Sequence, residues 1–360
     1  MTWRELTVQN FNSLDRKVVV DVRSPCEHLV ESIPDSINVP LLSDEERALI
    51  GTIYKQDGEM QARRQALGMI APRIPAIVDR IMAIKKPRHT LVVHCWRGGL
   101  RSEAVVSFLS VVGIDCFRLT GGYKAWRKQV VKDFEKDDYT FQTVVLDGLT
   151  GTGKTEVLTE LTKLGIAICD LENLANHRGS TFGALGLAPQ PSQKNFEAGL
   201  WSLLEKCQAD LLILEAESRK IGRLALPNFL YRRIKTGRKI LIEAPLSSRV
   251  ARLLEIYSQG IEKADVIHMV EESAPIKEKL GRVKTRVLID HLKSDDLESF
   301  VKMLLLEYYD PLYAKHLAVS GPFELTVDSQ DPARAAADIA EHLASTQVSS
   351  SQKTIINSGR

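Results

Sequence analysis

The stretch His94-Cys95-Trp96-Arg97-Gly98-Gly99-Leu100-Arg101-Ser102 gathers a thiol, a Gly-Gly pair and two arginines. A cysteine attacks only as its thiolate. A curled glycine loop, a following helix N-terminus and guanidinium groups all favour that anion. Read literally, His-Cys, five residues, Arg-Ser is the phosphatase pattern, yet the same bowl of amides can carry a sulfur atom. A buried structural cysteine beside an ordinary turn is the plain alternative, and the order strand, Cys, Arg-Gly-Gly, Arg, helix argues against it. About fifty residues later, Gly148-Leu149-Thr150-Gly151-Thr152-Gly153-Lys154-Thr155 satisfies G-x-x-x-x-G-K-[ST]. There, backbone N–H groups wrap a diphosphate, Lys154 neutralises it, and the Thr155 hydroxyl is the candidate ligand for Mg²⁺.

Both loops need strands to hold them. "KVVVDVR" (17–23) and "TLVVHC" (90–95) are β-branched runs that read as strands, the second ending at Cys95. "EAVVSFLSVVG" (103–113) has helical spacing and stops at glycine, and "DCFRLTGG" (115–122) is a strand into a turn before the helix "YKAWRKQVVKDF". Residues 44–86 read as a helical insertion rich in Ala, Arg and Glu. Alternating strands and helices predict a parallel α/β domain over 1–133, then a charged linker over 134–142. "TVVLDG" (143–148) restarts the pattern, which continues through "LGIAICDLE", "DLLILEAES" and "GRKILIEAP" as a second parallel α/β domain over 143–343. The polar stretch 344–360 reads as a disordered tail.

With 360 residues, 44% of them hydrophobic and 26% charged, the chain has the composition of a soluble two-domain protein. Neither a transmembrane run nor a signal peptide is apparent, so a cytoplasmic protein with no membrane partner is expected. Five scattered cysteines without a CxxC pair argue for reduced thiols rather than disulfides or a zinc ribbon. The net charge of +2 hides an uneven distribution. From Arg219 to Arg252 ten Lys or Arg face one acid, Glu243, and Lys277 to Arg286 adds five cations against one acid. Arg232, Arg233, Lys235, Arg238, Lys239, Arg249 and Arg252 are therefore candidates for a basic RNA-binding surface.

The flanks of Cys95 decide between its two chemistries. "VDVRSPCEHLVESIPDSINVP" (20–40) resembles the opening motif of the rhodanese family, and "FRLTGGYKAW" (117–126) resembles its closing motif. Nothing marks the general-acid Asp that a phosphatase needs. The resemblance implies a cysteine that carries a chalcogen, with Asp21 and Arg23 tying loops together rather than reacting. The expected fold class is α/β, an N-terminal rhodanese-like domain plus a C-terminal P-loop NTPase-like parallel α/β domain.

A conventional NTPase carries an acid at the end of a second strand to hold the metal's water shell. Asp170 and Glu215 are the nearest candidates, and neither is diagnostic. Polar clusters at predicted strand ends beside the P-loop add Asp170, Glu172, His177, Arg178, Glu217, Ser218, Arg219 and Arg223 as candidate lining of the site. His177 is a candidate acid or base, or a phosphate contact.

A rhodanese domain followed by a P-loop domain, with "DEERALIGTIYKQDG" (44–58), "DLENLANHRGSTFG" (170–183), "PQPSQKNFE" (189–197), "EAESRKIGRLALP" (215–227) and "EYYDPLY" (307–313), resembles the tRNA 2-selenouridine synthase family over nearly the whole chain. That resemblance implies a transferase acting on tRNA that carries 2-thiouridine at the wobble position. Its sulfur is alkylated by geranyl diphosphate on the P-loop, and selenophosphate, made by selenophosphate synthetase, then supplies selenium at Cys95. The loop Trp96, Arg97, Gly98, Gly99, Leu100 and Arg101 would bind the selenium donor's anion. No tightly bound cofactor is expected. The competing readings are an ATP-dependent kinase or NTPase with a regulatory rhodanese module, and a non-enzymatic tRNA-binding protein. Intact Cys95, Lys154 and Thr155 weigh against the latter.

Overall fold

A computed structural model describes residues 3–258 and 261–357, with side chains over 3–256 and 261–346. The chain divides into two compact units, Met1–Asp138 with Pro191–Ser202, and Tyr139–Gln190 with Leu203–Arg360.

The first unit holds β1 (Trp3–Leu6), β2 (Lys17–Asp21), β3 (Ile37–Asn38), β4 (Thr90–His94) and β5 (Cys116–Leu119). They form a five-stranded sheet in the order β1-β5-β4-β2-β3, parallel throughout. Central strands of such sheets are covered on both faces, which is why the valine runs of β2 and β4 do not alternate; Val20, Val92 and Val93 are fully buried. The stretch 44–86 forms helices Asp44–Gln56, Glu59–Ile70 and Ile74–Ile84. A Ser43/Glu46 capping box starts the first of them. Residues 191–202 belong to this unit through close contacts. Ser32 N–H donates to Asn195 Oδ1 (2.9 Å), Trp201 Nε1 donates to Asp133 Oδ2 (3.0 Å), and the Trp201 ring meets buried Trp126 edge-on at 5.5 Å.

The second unit holds β6 (Gln142–Asp147), β7 (Ile168–Cys169), β8 (Leu211–Glu215), the antiparallel pair β9 (Lys220–Ile221) and β10 (Leu224–Ala225), β11 (Arg238–Glu243) and β12 (Leu325–Asp328). Its main sheet runs β12-β11-β6-β8-β7, again parallel. Val144, Leu146, Ile213, Ile240 and Ile242 pack under helix Lys154–Lys163 through Val157, Leu158 and Leu161. A second core joins Phe182, Val270, Ile276, Phe300, Tyr308 and Tyr309, which makes "EYYDPLY" partly a packing motif.

Two boundaries differ from expectation. Helix Gly122–Lys136 carries through the start of the predicted linker, closing at Asp137 in a left-handed conformation. The last helix spans Pro332–Asn357, across the stretch read as a disordered tail from 344; residues 358–360 lie outside the described residues. Among the described residues no helix is long and apolar enough to cross a membrane.

Candidate functional site

In the first unit the strand β4 delivers Cys95 to the carboxyl edge of the sheet, and helix Leu100–Val111 begins immediately after Gly99. Cys95 is buried, with Sγ 3.3 Å from Ser102 Oγ, and Ser102 Oγ in turn donates to Gly99 O (3.0 Å). The loop is clamped from behind by the closing motif. Tyr123 N–H donates to Cys95 O and Lys124 N–H to Trp96 O, each at 2.9 Å. The clamp requires glycine at 122, where φ is +57° and a Cβ would sit 2.3 Å from Cys95 O and 2.5 Å from Gly98 N.

Behind this loop lies a buried ion pair. Arg23 Nη2 is 2.6 Å from Asp21 Oδ2, its Nε also reaches Asp21, Nη2 donates to Glu31 O (2.5 Å), and the guanidinium lies 4.5 Å from the Tyr123 ring. Both residues are fully buried, so they tie loops together, as expected. Burial alone would raise the Asp21 carboxyl; His94, His28 and Arg23 outweigh it and hold Asp21 well below the usual carboxylate range. Burial pushes His94 down to about 4, so near neutral pH His94 is uncharged and the persistent partner of Asp21 is Arg23. Of the two loop arginines, Arg97 is exposed, whereas Arg101 is tied to Glu27 (2.6 Å). Trp96 stacks on Tyr123 at 5.5 Å, and Leu100 is exposed.

In the second unit β6 ends at Asp147, and Gly148 to Gly153 lead into helix Lys154–Lys163. Gly148 has a φ of +157°, and a Cβ there would sit 2.4 Å from Ile242 O. Asp147 anchors the loop, accepting Gly148 N–H on Oδ1 (2.9 Å) and Ser320 Oγ–H on Oδ2 (2.8 Å). Lys154 Nζ donates to Gly148 O (3.1 Å) and Leu149 O (3.3 Å), and Thr155 Oγ1 lies 3.5 Å from Glu172 Oε2.

Three carboxyls converge here. Glu215 at the end of β8 is fully buried, Glu172 and, two residues after Glu215, Glu217 are half-buried, and Glu215 Oε1 accepts the Glu172 N–H (3.0 Å). A Cβ on Gly179 would meet both Glu217 Oε1 (2.5 Å) and Glu172 Oε1 (2.6 Å), which shows how closely the two side chains approach one backbone position. Burial first, and then the neighbouring carboxylates, push all three upward, against the pull of Lys154. Protons therefore spare the loop the full negative charge of three carboxylates. Among the described residues no group of three His, Cys, Asp or Glu is arranged to hold a metal.

The loop opens on a cavity of about 270 Å³ lined by Thr150, Gly151, Gly153, Lys154, Thr155, Glu172, Arg178 and Glu217 from the expected set. Apolar residues Phe182, Ala216, Leu253 and Ile256, with Tyr313, complete much of its wall. Burial raises the Tyr313 hydroxyl to about 12, so it is a neutral donor. The remaining expected residues lie outside this lining. Asp170 caps helix Leu171–Ala175 by accepting Asn173 N–H (2.8 Å). His177 is buried with its ring against Gly183 and Gly222, and burial, then Arg178, lowers its pKa. Ser218, Arg219 and Arg223 are exposed around β9 and β10, Arg219 bonding Asn228 and Arg223 bonding Gln190. Tyr313 lines this site but was not among the candidates, while Glu215, a candidate for the metal's water shell, instead accepts the Glu172 N–H. Glu215 follows an apolar strand, a usable signal, whereas Tyr313 comes from a distant helix.

The expectation of one basic face over 219–252 is corrected. Lys239 is buried and donates to Ser320 Oγ (2.9 Å); Arg249 is buried, paired with Asp310 (2.5 Å) and donating to Thr150 O (2.8 Å). Arg233 donates to Phe141 O (2.9 Å) and Tyr139 O (2.6 Å), Arg238 pairs with Glu324 and Arg252 with Glu156, each at 2.8 Å. Arg232 and Lys235 are exposed, Lys235 lying 5.5 Å from the Tyr231 ring. The physical reason is position. Cations beside the interior strand β11 must find partners inside the fold, because an unpaired buried charge is costly.

Residues 141–338 match the family described as the tRNA 2-selenouridine synthase AAA domain, and residues 7–129 match the rhodanese-like domain. A protein of Sulfurovum sp. named tRNA 2-selenouridine synthase is 32% identical over 331 residues, covering 83% of this chain and 88% of the relative. One from Shewanella loihica with the same name is 32% identical over 323 residues, covering 82% and 86%. Among solved structures, a rhodanese-related protein from Thermoplasma volcanium is 22% identical over 35% of this chain and 92% of that chain, with a TM-score of 0.22.

Proposed function

Because the chain belongs to the tRNA 2-selenouridine synthase family, whose members are transferases, we propose that it converts 2-thiouridine at the tRNA wobble position to 2-selenouridine in two half-reactions, one at each loop. In the first, the sulfur attacks C1 of geranyl diphosphate, the C–O bond breaks, diphosphate leaves and the uridine loses its N3 proton. Lys154 and the loop amides would hold the leaving diphosphate and stabilise the charge that develops on it. Thr155 would be the candidate ligand for Mg²⁺, which when bound would supply further neutralisation of that diphosphate. In its ionised form Glu217, made more basic by burial and by Glu215, would take the proton.

In the second half-reaction, selenium from selenophosphate adds at C2 and geranyl thiol departs, the phosphoryl group passing to water. Alkylation makes sense of this order, since an S-alkylated sulfur leaves far more readily than sulfide. Cys95 and its glycine loop would position the selenium donor. Direct attack by selenophosphate balances without a reductant, whereas a selenium left bonded to both Cys95 and C2 would need one.

One observation carries the reading. Beside its polar and charged residues, the cavity at the diphosphate loop has an apolar wall of Phe182, Ala216, Leu253, Ile256 and Tyr313, suited to a hydrocarbon chain. The kinase reading asks the acid at the end of β8 to order a metal's water shell, but Glu215 is fully buried and occupied by the Glu172 N–H.

The test supplies purified protein with 2-thiouridine tRNA, geranyl diphosphate and selenophosphate, and reads the nucleosides by mass spectrometry. Cys95→Ala should stop at the S-geranyl nucleoside. Lys154→Ala should fail to geranylate yet still selenate tRNA that is already geranylated. If both variants fail identically at the first step, the division of labour is wrong. Robust tRNA-stimulated ATP turnover without selenium incorporation would favour the kinase reading.

A further inference from the structure

A larger cavity lies within the first unit. It measures about 730 Å³ and lies between helices Asp44–Gln56, Glu59–Ile70 and Leu100–Val111. Leu41, Leu42, Ile50, Ala62, Ala66, Leu67, Ile70, Ala104 and Phe108 make its lining predominantly apolar. Several apolar side chains that line it stay open to solvent, with Leu67 60%, Tyr54 56% and Leu100 53% exposed. Apolar side chains clustered around a concavity mark a ligand site rather than a packing defect, since a folded core would close over them.

Two further observations say what kind of ligand. First, one wall of the cavity is the start of the helix that leads out of the cysteine loop. Leu100 and Arg101, which line it, directly follow Gly99, and the next residue is Ser102, the partner of Cys95 Sγ. Second, its lining carries Arg47, Lys55, Arg63 and Arg101 against the single acid Glu59; Arg63 pairs with Glu59 and Glu27 bridges Arg47 and Arg101, which leaves a net positive rim. An apolar floor under a net positive rim, on the helix that follows the Cys95 loop, fits a hydrocarbon chain covalently attached to a polyanion.

We propose that this cavity is a second isoprenoid subsite, which takes the allylic ten-carbon chain of the S-alkylated tRNA nucleoside while selenium is delivered beside Cys95. The proposal rests on the two-step reading given above, in which that nucleoside is the substrate of the second half-reaction. The insertion 44–86 thereby acquires a role in substrate selection, because it supplies two of the three helices around the chain. Binding the chain here holds C2 of the base near the loop and leaves the released thiol in an apolar pocket.

Gly51 offers a clean perturbation. It lines the cavity on an exposed helix face, and a Cβ added there meets nothing within 4 Å, so a large side chain enters without backbone strain. The experiment compares full-length wild type and Gly51→Phe on short anticodon stem-loop RNAs bearing S-geranyl-, S-dimethylallyl- or S-methyl-2-thiouridine, with selenophosphate as donor. Wild type should prefer geranyl to methyl by about tenfold or more in kcat/KM, as expected for burying several additional carbons. Gly51→Phe should erase most of that preference by raising KM for the geranyl substrate about tenfold. It should convert the S-methyl substrate at the wild-type rate and geranylate 2-thiouridine tRNA normally. A variant with unchanged chain-length preference overturns the subsite. Wild type that cannot selenate S-geranyl RNA at all overturns the underlying two-step reading instead. A variant that loses all three substrates equally also overturns the subsite, since the residue would then act on the loop and not on the chain.

Discussion

Replacing Glu215 by glutamine should stabilise the protein at alkaline pH and leave it nearly unchanged in mild acid. Glu215 is fully exposed to its neighbours and not at all to water, and Oε1 already accepts the Glu172 N–H, an acceptor role that an amide retains. Its pKa rises from 4.5 to about 8, first through burial and then through Glu172 and Asp170. In the folded chain the group therefore keeps a proton that the unfolded chain has lost. Stability falls as pH rises from 4.5 through about 8 and is level below that window. Borne by one group alone, such a shift would be worth roughly 5 kcal/mol at ~1.4 kcal/mol per unit. Glu172 and Glu217 share the burden, so about 1–2 kcal/mol belongs to this position. Glutamine removes the titration. Thermal unfolding of the full chain should give a Tm within about a degree of wild type near about pH 5, and about 3–6 °C higher near about pH 8.5. Equal offsets at both pH values, or a lower Tm at the higher one, would refute the proton-sharing argument.

Other perturbations bear on the remaining parts. Asp21→Asn leaves the buried Arg23 guanidinium without its carboxylate and should cost about 3–5 kcal/mol, read as a lower urea midpoint; an unchanged midpoint would mean the pair is not structural. Gly122→Ala forces a Cβ onto Cys95 O and should impair selenation at least tenfold while geranylation persists, a split that nucleoside mass spectrometry resolves. Arg249→Ala should lower the melting temperature through loss of its Asp310 and Thr150 contacts, with the salt dependence of tRNA binding unaltered; a flatter salt slope with normal stability would return Arg249 to the RNA surface.

The two anion loops were legible because their chemistry is local. Glycine spacing, a strand before and a helix after are all written in eight or nine consecutive residues, and the α/β class follows from the same alternation. The convergence of Glu172, Glu215 and Glu217 was only half legible, since it depends on β8 lying next to β6 in the sheet. Charge counts misled over 219–252 because a run of cations says nothing about which strand it borders; Lys239 and Arg249 are in the interior. The short edge strands β1, β3 and β12 carry too few residues for a period to show. The apolar cavity could not be read either, because it comes from the spacing between helices whose sequences look like ordinary amphipathic surfaces.

The placement of residues 191–202 in the first unit sets an order of events during synthesis. When Asp138 leaves the ribosome, the rhodanese-like sheet can form, but Trp126 lacks its ring partner Trp201 and Ser32 lacks Asn195. Those partners arrive only after the diphosphate loop and the segment to Gln190 have been made. At roughly 5–20 residues per second the wait is on the order of 3 to 13 s. Until then the nascent first unit lacks the cover that Trp201 gives Trp126, because its last piece is encoded inside the next domain.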